Sequence, residues 1–299
     1  MISIVKSDSL IGGIEAGGTK FVCAIGHPPN DIQALERFPT TTPEETLGRT
    51  LDFFQNQPRL PDSIGIATFG PADVHPDSET YGYITSTPKP GWSNTDLGGV
   101  ISRELQLPIV FDTDVNGAAV GEYLWGNGQG TKNLLYLTIG TGIGGGALVN
   151  GKPIHGLVHP EMGHLFLPRA EGDDYEGYCP FHGTCLEGMA CGPAIEDRWG
   201  IPAKSMPPDH IGWSFEAHYI SLALVNLILT LSPERIILGG GVMQQMHLFP
   251  SIRSRVVSHL NGYVQASELT YEIDQYIIPP GLGSKAGVLG AMGLTIQFL

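Results

Sequence analysis

The chain has 299 residues, 41 of them glycine, and its 16 Lys and Arg stand against 30 Asp and Glu for a formal charge of −14. This length allows one large domain or two lobes with substantial cores, and the glycines follow no fixed period, which excludes a collagen-like chain. The acidity argues against a nucleic-acid surface or a patch for anionic membrane, because both are held by clustered Lys and Arg.

The most apolar run, Ile220 to Leu231, is shorter than the ~20 residues that span a bilayer. Residues 1–10 carry no long apolar stretch of the signal-peptide kind, so a cytoplasmic address is expected. Four cysteines are too few for a disulfide framework in a chain this long, so a cluster of them reads as a metal site first.

Taken in order, residues 11–39 read as a strand, a Gly-rich turn and further strands. Residues 43–56 read as a helix with Pro43 in its first turn. Residues 63–70 form an apolar strand ending at Gly-Pro, 97–105 a helix, and 108–114 a buried strand that stops at carboxylates. Residues 115–125 read as an Ala-rich helix. The segment 133–152 then repeats the strand–turn–strand design of 11–26, which suggests two related lobes. A helix at 214–231, a buried strand at 235–242 and a closing helix at 283–298 follow, with 71–95 and 153–186 irregular. The alternation predicts an α/β fold.

Three Gly-rich turns follow apolar strands: Glu15-Ala-Gly-Gly-Thr19, Gly140 to Gly146, and Gly239 to Met243. Missing Cβ atoms let main-chain N–H groups approach phosphate oxygens, and Thr adds a hydroxyl. Any one could be a plain hairpin turn; three together point to phosphate. None has the GxxxxGK[ST] spacing of a P-loop, and GTGIGG at 140–145 leads into a strand rather than the helix of a dinucleotide fold.

Cys179-Pro-Phe-His182-Gly-Thr-Cys185, with His164 upstream, supplies two thiolates and two imidazoles. That set suits tetrahedral Zn²⁺, and a closed four-ligand site is structural. His155 and His159 are rival upstream ligands, while Cys23 and Cys191 read as core. Asp112-Thr113-Asp114-Val-Asn116 ends a buried strand and opens a helix. One aspartate suffices as an N-cap, which leaves the other as a candidate general base.

These pieces occur in one order: GGT at 17–19, TPKPGW at 87–92, DTDVNGAAVGE at 112–122, IGTGIGGG at 139–146, HPEMGH at 159–164, the Cys/His loop with Glu187, and LGGGV at 238–242. From about residue 11 to 297 the chain resembles the ROK family of bacterial sugar kinases and related repressors, within the actin-like ATPase superfamily. Its C-P-x-H-G-x-C loop is most similar to that of the ROK fructokinases. The resemblance implies a two-lobed, ribonuclease H-like α/β fold with the active site in the interlobe cleft. Residues 1–115 with 284–299 would form the N-terminal lobe, and 116–283 the C-terminal lobe with the zinc loop at about 159–187.

The resemblance also implies roles. Asp114 matches the catalytic base; Thr113, Glu161, His164 and Glu187 match sugar-binding positions. Gly17, Gly18, Thr19, Lys20, Thr141 and Gly142 match the phosphate side of an ATP site. Pro193 and Gly239, Gly240, Gly241, Val242 and Met243 match its adenosine side. Mg²⁺ would bridge the phosphates, and His164, Cys179, His182 and Cys185 would hold structural Zn²⁺. A homodimer is implied, with a hexose and ATP as partners and no nucleic acid or membrane. Two positions depart from the family pattern: Glu15 stands where Asp is usual, which leaves its part near Mg²⁺ open, and Thr113 stands where Asn is frequent. Fructose is the expected acceptor, forming fructose 6-phosphate; glucose, mannose and N-acetylhexosamines are alternatives. A DNA-binding repressor is opposed by the negative charge and the short segment before the first strand, and a non-catalytic sugar sensor by Asp114.

Overall fold

The computed structural model describes residues 9–299, so the expectation for residues 1–10 falls almost entirely outside the described part. In chain order the elements are β1 (Ile11–Ala16), β2 (Lys20–His27), β3 (Asp31–Pro39), α1 (Pro43–Gln55), β4 (Ser63–Thr68), β5 (Tyr83–Ile84), β6 (Thr95–Asp96), α2 (Leu97–Leu105), β7 (Ile109–Thr113) and α3 (Asp114–Trp125). There follow β8 (Leu134–Ile139), β9 (Ile143–Val149), β10 (Lys152–Pro153), α4 (Leu186–Ala190), α5 (Gly192–Trp199), α6 (Gly212–Leu231), β11 (Arg235–Gly239), α7 (Leu248–Leu260), α8 (Ser267–Thr270), α9 (Ile273–Tyr276), β12 (Ile277–Ile278) and α10 (Ala286–Phe298).

Two compact units result. The first comprises the chain up to Gly130 with Gly151–Pro160 and Gly281–Leu299; the second comprises Thr131–Asn150 and Glu161–Pro280. In the first, the sheet order is β3-β2-β1-β4-β7. β1 pairs antiparallel with β2 and parallel with β4, and β4 pairs parallel with β7. Strand alternation sends side chains to both faces. Ile14, Phe21, Cys23, Ile64 and Ile66 join Phe54, Trp92 and Ile101 on the side of α1 and α2. Ile11, Val22 and Ala24 meet Val288, Leu289 and Met292 of α10 on the other side. Trp92 of the TPKPGW segment is fully buried against Phe21 and Phe69, and its indole N–H donates to the Thr41 carbonyl at 2.8 Å.

Helix α3 belongs to this first unit, so the division falls after Gly130 rather than after residue 115, and the return crossing comes at 281 rather than 284. The reason is packing. Gly117 and Gly121 of α3 lie against Gly290 of α10 so closely that a Cβ on Gly290 would overlap the Gly117 backbone. Both helices are built from small residues along this seam, and backbone contact of that kind is lost with any side chain. At the end of α3 the fully buried Glu122 carboxylate accepts N–H bonds from Asn127 at 2.8 Å, Gly281 at 2.9 Å and Leu282 at 2.9 Å.

The second unit repeats the pattern. β8 and β9 form an antiparallel hairpin, β8 pairs parallel with β11, and β11 pairs parallel with β12. The order β9-β8-β11-β12 matches β2-β1-β4-β7 of the first unit, as the repeated strand–turn–strand segments imply. Helix α6 begins at Gly212, two residues earlier than expected, and is long and apolar enough by length and composition to cross a membrane. Half of it is buried: Ala217, Ile220, Ala223, Leu224 and Ile228 face the interior of this unit, and the helix packs on α7 and α4. The irregular stretch before the Cys/His loop is tied down by Asp173, which pairs with Arg198 of α5 at 2.9 Å and accepts from the Tyr219 hydroxyl.

Candidate active site and metal centre

The end of β7 resolves the roles of its two aspartates. The N-cap of α3 is neither of them: Thr113 Oγ1 accepts the Asn116 N–H at 3.2 Å. The hydroxyl expected to face a sugar is therefore buried and engaged as a cap. Asp112 is buried too. Its Oδ1 accepts from Thr113 N at 2.7 Å and Asn116 Nδ2 at 2.8 Å, and its Oδ2 receives His155 Nε2 at 2.9 Å. Asp114, the first residue of α3, is half-buried, and its Oδ1 accepts the adjacent Val115 N–H at 2.9 Å. The geometry thus ties up Asp112 as structure and places Asp114 at the helix start, half-buried and in contact with the first turn through Val115 N–H.

The β1–β2 turn closes with Gly17 N–H donating to the Lys20 carbonyl at 3.0 Å, and Thr40 Oγ1 donates to the Gly17 carbonyl at 2.6 Å. Thr19 and Lys20 are exposed and Gly18 has open space around it. Glu15 projects from the α10 side of β1. Its carboxylate lies against Gly287 and takes the Val288 N–H. Burial raises its pKa above the ordinary value, opposed by Lys20 and Arg37. The side chain that departs from the family pattern therefore spends part of its bonding capacity on the first turn of α10.

In the second unit three glycine-bearing segments meet. The turn after β8 folds so that Gly140 N–H donates to the Gly142 carbonyl at 2.9 Å, and the Gly140 carbonyl accepts at 2.7 Å from the N–H of Gly192, which opens α5 next to Pro193. Gly240, after β11, has φ +93° and lies against the Ile139 backbone, where a Cβ would overlap its N and O. Only glycine combines that φ with that approach. Val242 and Met243 are buried, so only their main chain can line a ligand site, whereas Thr141 and Gly241 are exposed. Glu187, in the first turn of α4, accepts the Ile143 N–H at 2.9 Å, which brings its carboxylate up against Gly142. The structure thus brings Thr141, Gly142, Glu187, Pro193 and Gly239 to Met243 into one neighbourhood, a convergence of main chain from distant sequence.

The Cys/His quartet also forms. One ligand atom each from His164, Cys179, His182 and Cys185 lies within 4.8 Å of the others. His164 Nδ1 stands 3.5 Å from Cys185 Sγ and 3.8 Å from Cys179 Sγ, and His182 Nδ1 stands 3.8 Å from Cys179 Sγ. Tetrahedral bonds of about 2.1–2.3 Å to nitrogen and sulfur would separate neighbouring ligands by roughly 3.4–3.8 Å, so the cage fits Zn²⁺. Both thiols are buried, and burial with the neighbouring Cys179 and Glu187 pushes Cys185 up to about 11. The loop's backbone supports the cage: Gly183 N donates to the Cys179 carbonyl at 2.9 Å and Tyr178 N to the Gly188 carbonyl at 2.8 Å. Neither rival histidine belongs to it. His155 is committed to Asp112, and buried His159 accepts the Ala72 N–H at 3.1 Å. Glu161 is exposed at the start of the short helical turn 162–164 that carries His164.

Sequence reasoning weighed His155 only as a metal ligand and missed its bond to Asp112, which spans 43 residues. No local pattern signals that pairing. A lone Glu among small and apolar residues of α3 was, by contrast, a readable sign that Glu122 is buried for a purpose.

The repeated sheet order and the glycine turns define a two-lobed, actin-like α/β fold. The chain belongs to the ROK family, whose model matches residues 11–297. It is 47% identical over 270 residues to a fructokinase of Lactococcus lactis subsp. cremoris, covering 90% of each chain. It is 45% identical over 300 residues to a fructokinase of Zymomonas mobilis, covering 98% of each. The crystal structure of a ROK family glucokinase from Streptomyces griseus, in complex with glucose and AMPPNP, superposes with a TM-score of 0.75 at 23% identity, covering 95% of this chain and 98% of that one.

Proposed function

We propose that this chain is an ATP-dependent fructokinase that converts D-fructose to fructose 6-phosphate. The observation that carries the reading is its likeness, over at least nine-tenths of its length, to proteins named fructokinase. The substrate hydroxyl oxygen attacks Pγ, the bond from Pγ to the bridging oxygen of ADP breaks, and the hydroxyl proton passes to Asp114. The turn at 17–20 and Thr141 with Gly142 offer amide and hydroxyl donors to the phosphates, and Pro193 with Gly239 to Met243 line the adenosine side. Mg²⁺ carried with ATP would neutralise charge on the β- and γ-phosphates. Glu161, His164 and Glu187 contact the sugar; Thr113 acts on it through the cap it provides to α3.

Zn²⁺ held by His164, Cys179, His182 and Cys185 is structural. With four protein ligands it would have no open position for catalysis, and it would fix the loop that carries Glu161 and Glu187. The enzyme is taken as cytoplasmic and homodimeric, as the family resemblance implies; sedimentation analysis of the purified protein tests the dimer. The decisive assay is ATP-dependent ADP release over a panel of fructose, glucose, mannose and N-acetylhexosamines, with ³¹P NMR of the product. Fructose should give the highest kcat/KM and a 6-phosphate. No hexose-dependent ADP release would sink the reading.

A further inference from the structure

Asp112 is the best-buried carboxylate beside the proposed base, and its partner is a residue from the loop after β10. Its side chain is 4% exposed and that of His155 is 31% exposed, with Nε2 2.9 Å from Oδ2. The other carboxylate oxygen holds Thr113 N and Asn116 Nδ2, the residues on either side of Asp114 and Val115. One carboxylate therefore organises the turn 112–116, and a buried carboxylate is stable only when its charge is compensated. On the assumption that the kinase reading holds, we propose that His155 is a positioning residue: as the imidazolium it compensates Asp112 and so keeps the 112–116 turn in the form that presents Asp114 to the substrate hydroxyl.

Asp112 from β7 is the carboxylate that favours a charged ring, whereas the Asn116 amide nitrogen of α3, itself a donor to Asp112, approaches Nε2 at 3.4 Å and offers it no acceptor. The His75 ring lies 6.4 Å away, centroid to centroid, in the loop after β4, where His75 N–H donates to Asp73 at 3.1 Å. Behind Asp112, the Tyr81 hydroxyl accepts the Phe111 N–H at 2.8 Å, and burial, with Asp112 adding to it, holds that phenol above its ordinary pKa. The bond to Asp112 raises His155 above the ordinary imidazole value, against the opposing effect of burial. A raised value means that the pair is intact below the ordinary imidazole pKa and is lost as pH rises through the folded value. The kinase should therefore lose kcat on the alkaline side as His155 discharges, apart from any acid limb set by Asp114.

The test uses the full-length zinc-loaded enzyme and the variants His155→Gln and Asp112→Asn. In wild-type protein the His155 ring, assigned by its loss in His155→Gln, should titrate above the ordinary imidazole range by NMR and fall back towards it in Asp112→Asn. His155→Gln keeps a donor but no titrating charge. It should lower kcat about tenfold, leave KM for ATP within about twofold, and abolish the alkaline limb in protein that is fully folded at the assay temperature, with a thermal transition lowered by the loss of the compensating charge. An ordinary titration of His155, or an active wild type with an unchanged kcat and pH profile in His155→Gln, overturns the proposal alone. A loss of kcat that only follows the folded fraction, with the profile unmoved, also overturns it by assigning a merely structural role. Wild-type enzyme that releases no ADP with any hexose overturns the kinase reading and takes this proposal with it.

Discussion

Replacing Glu122 by Ala tests how the first unit secures the places where the chain leaves and re-enters it. The carboxylate is fully buried, and its charge is met by the N–H groups of Asn127, Gly281 and Leu282. Removing it leaves three donors without their acceptor, at about 1–3 kcal/mol for each that stays buried. Gly281 is exposed and can turn to water, while Asn127 and Leu282 are half-buried, so the sum belongs near the lower end, about 3–4 kcal/mol. The lost side-chain volume beside Gly126 adds a smaller packing cost. For a chain of this size each kcal/mol moves the thermal midpoint by roughly 2–3 °C, so Glu122→Ala should melt about 6–12 °C below wild type in scanning calorimetry. Hydrogen exchange at the Leu282 amide should quicken in parallel. A midpoint within about 2 °C of wild type, with that amide still protected, would refute the reasoning, because it would mean that the three N–H groups are satisfied without the carboxylate.

Asp114→Asn keeps the acceptor for Val115 N–H yet removes the proton acceptor, so kcat should fall by about 10²-fold or more with the thermal midpoint unchanged; near-normal turnover removes Asp114 from its role. Metal analysis of freshly purified protein should find one zinc per chain, and Cys179→Ser should lose it, melt lower and raise the fructose KM more than the ATP KM; zinc-free protein with full activity contradicts the structural assignment. Gly240→Ala forces a Cβ into the Ile139 backbone at φ +93°, and a strain of about 1–3 kcal/mol or more should appear as a weakened ATP KM or a loss of folded protein. An unchanged ATP KM in a folded variant would separate that turn from the nucleotide.

Much of the architecture was legible because local signals and global packing agree. Pro43 and the Thr42 cap fix the start of α1, and Asp96 caps α2 through Gly99 N–H, so both helices begin where the sequence places them. The two glycine turns after apolar strands announced the hairpins β1–β2 and β8–β9. Less legible was everything that depends on distance along the chain. The cap of α3 fell to Thr113 because Asp112 is claimed by His155 and Asn116, a competition that only the fold sets up. The compact units divide after Gly130 because the Gly117–Gly290 contact binds α3 to the C-terminal helix, and small residues in a sequence do not say which helix they will meet. The metal quartet was readable because three of its ligands share seven residues; the sequence also placed His164 in it ahead of His155 and His159, which have other partners.

Glu187 stands two positions beyond Cys185, on a helix of only five residues, and its carboxylate grips the amide of Ile143 beside Gly142. So short a rod cannot absorb a displacement at one end without moving the other. Under the proposed function, stripping the metal would therefore disturb the phosphate-facing bend along with the sugar contacts, and a chelator-treated sample is not a selective probe of hexose recognition: some loss of nucleotide affinity should accompany it.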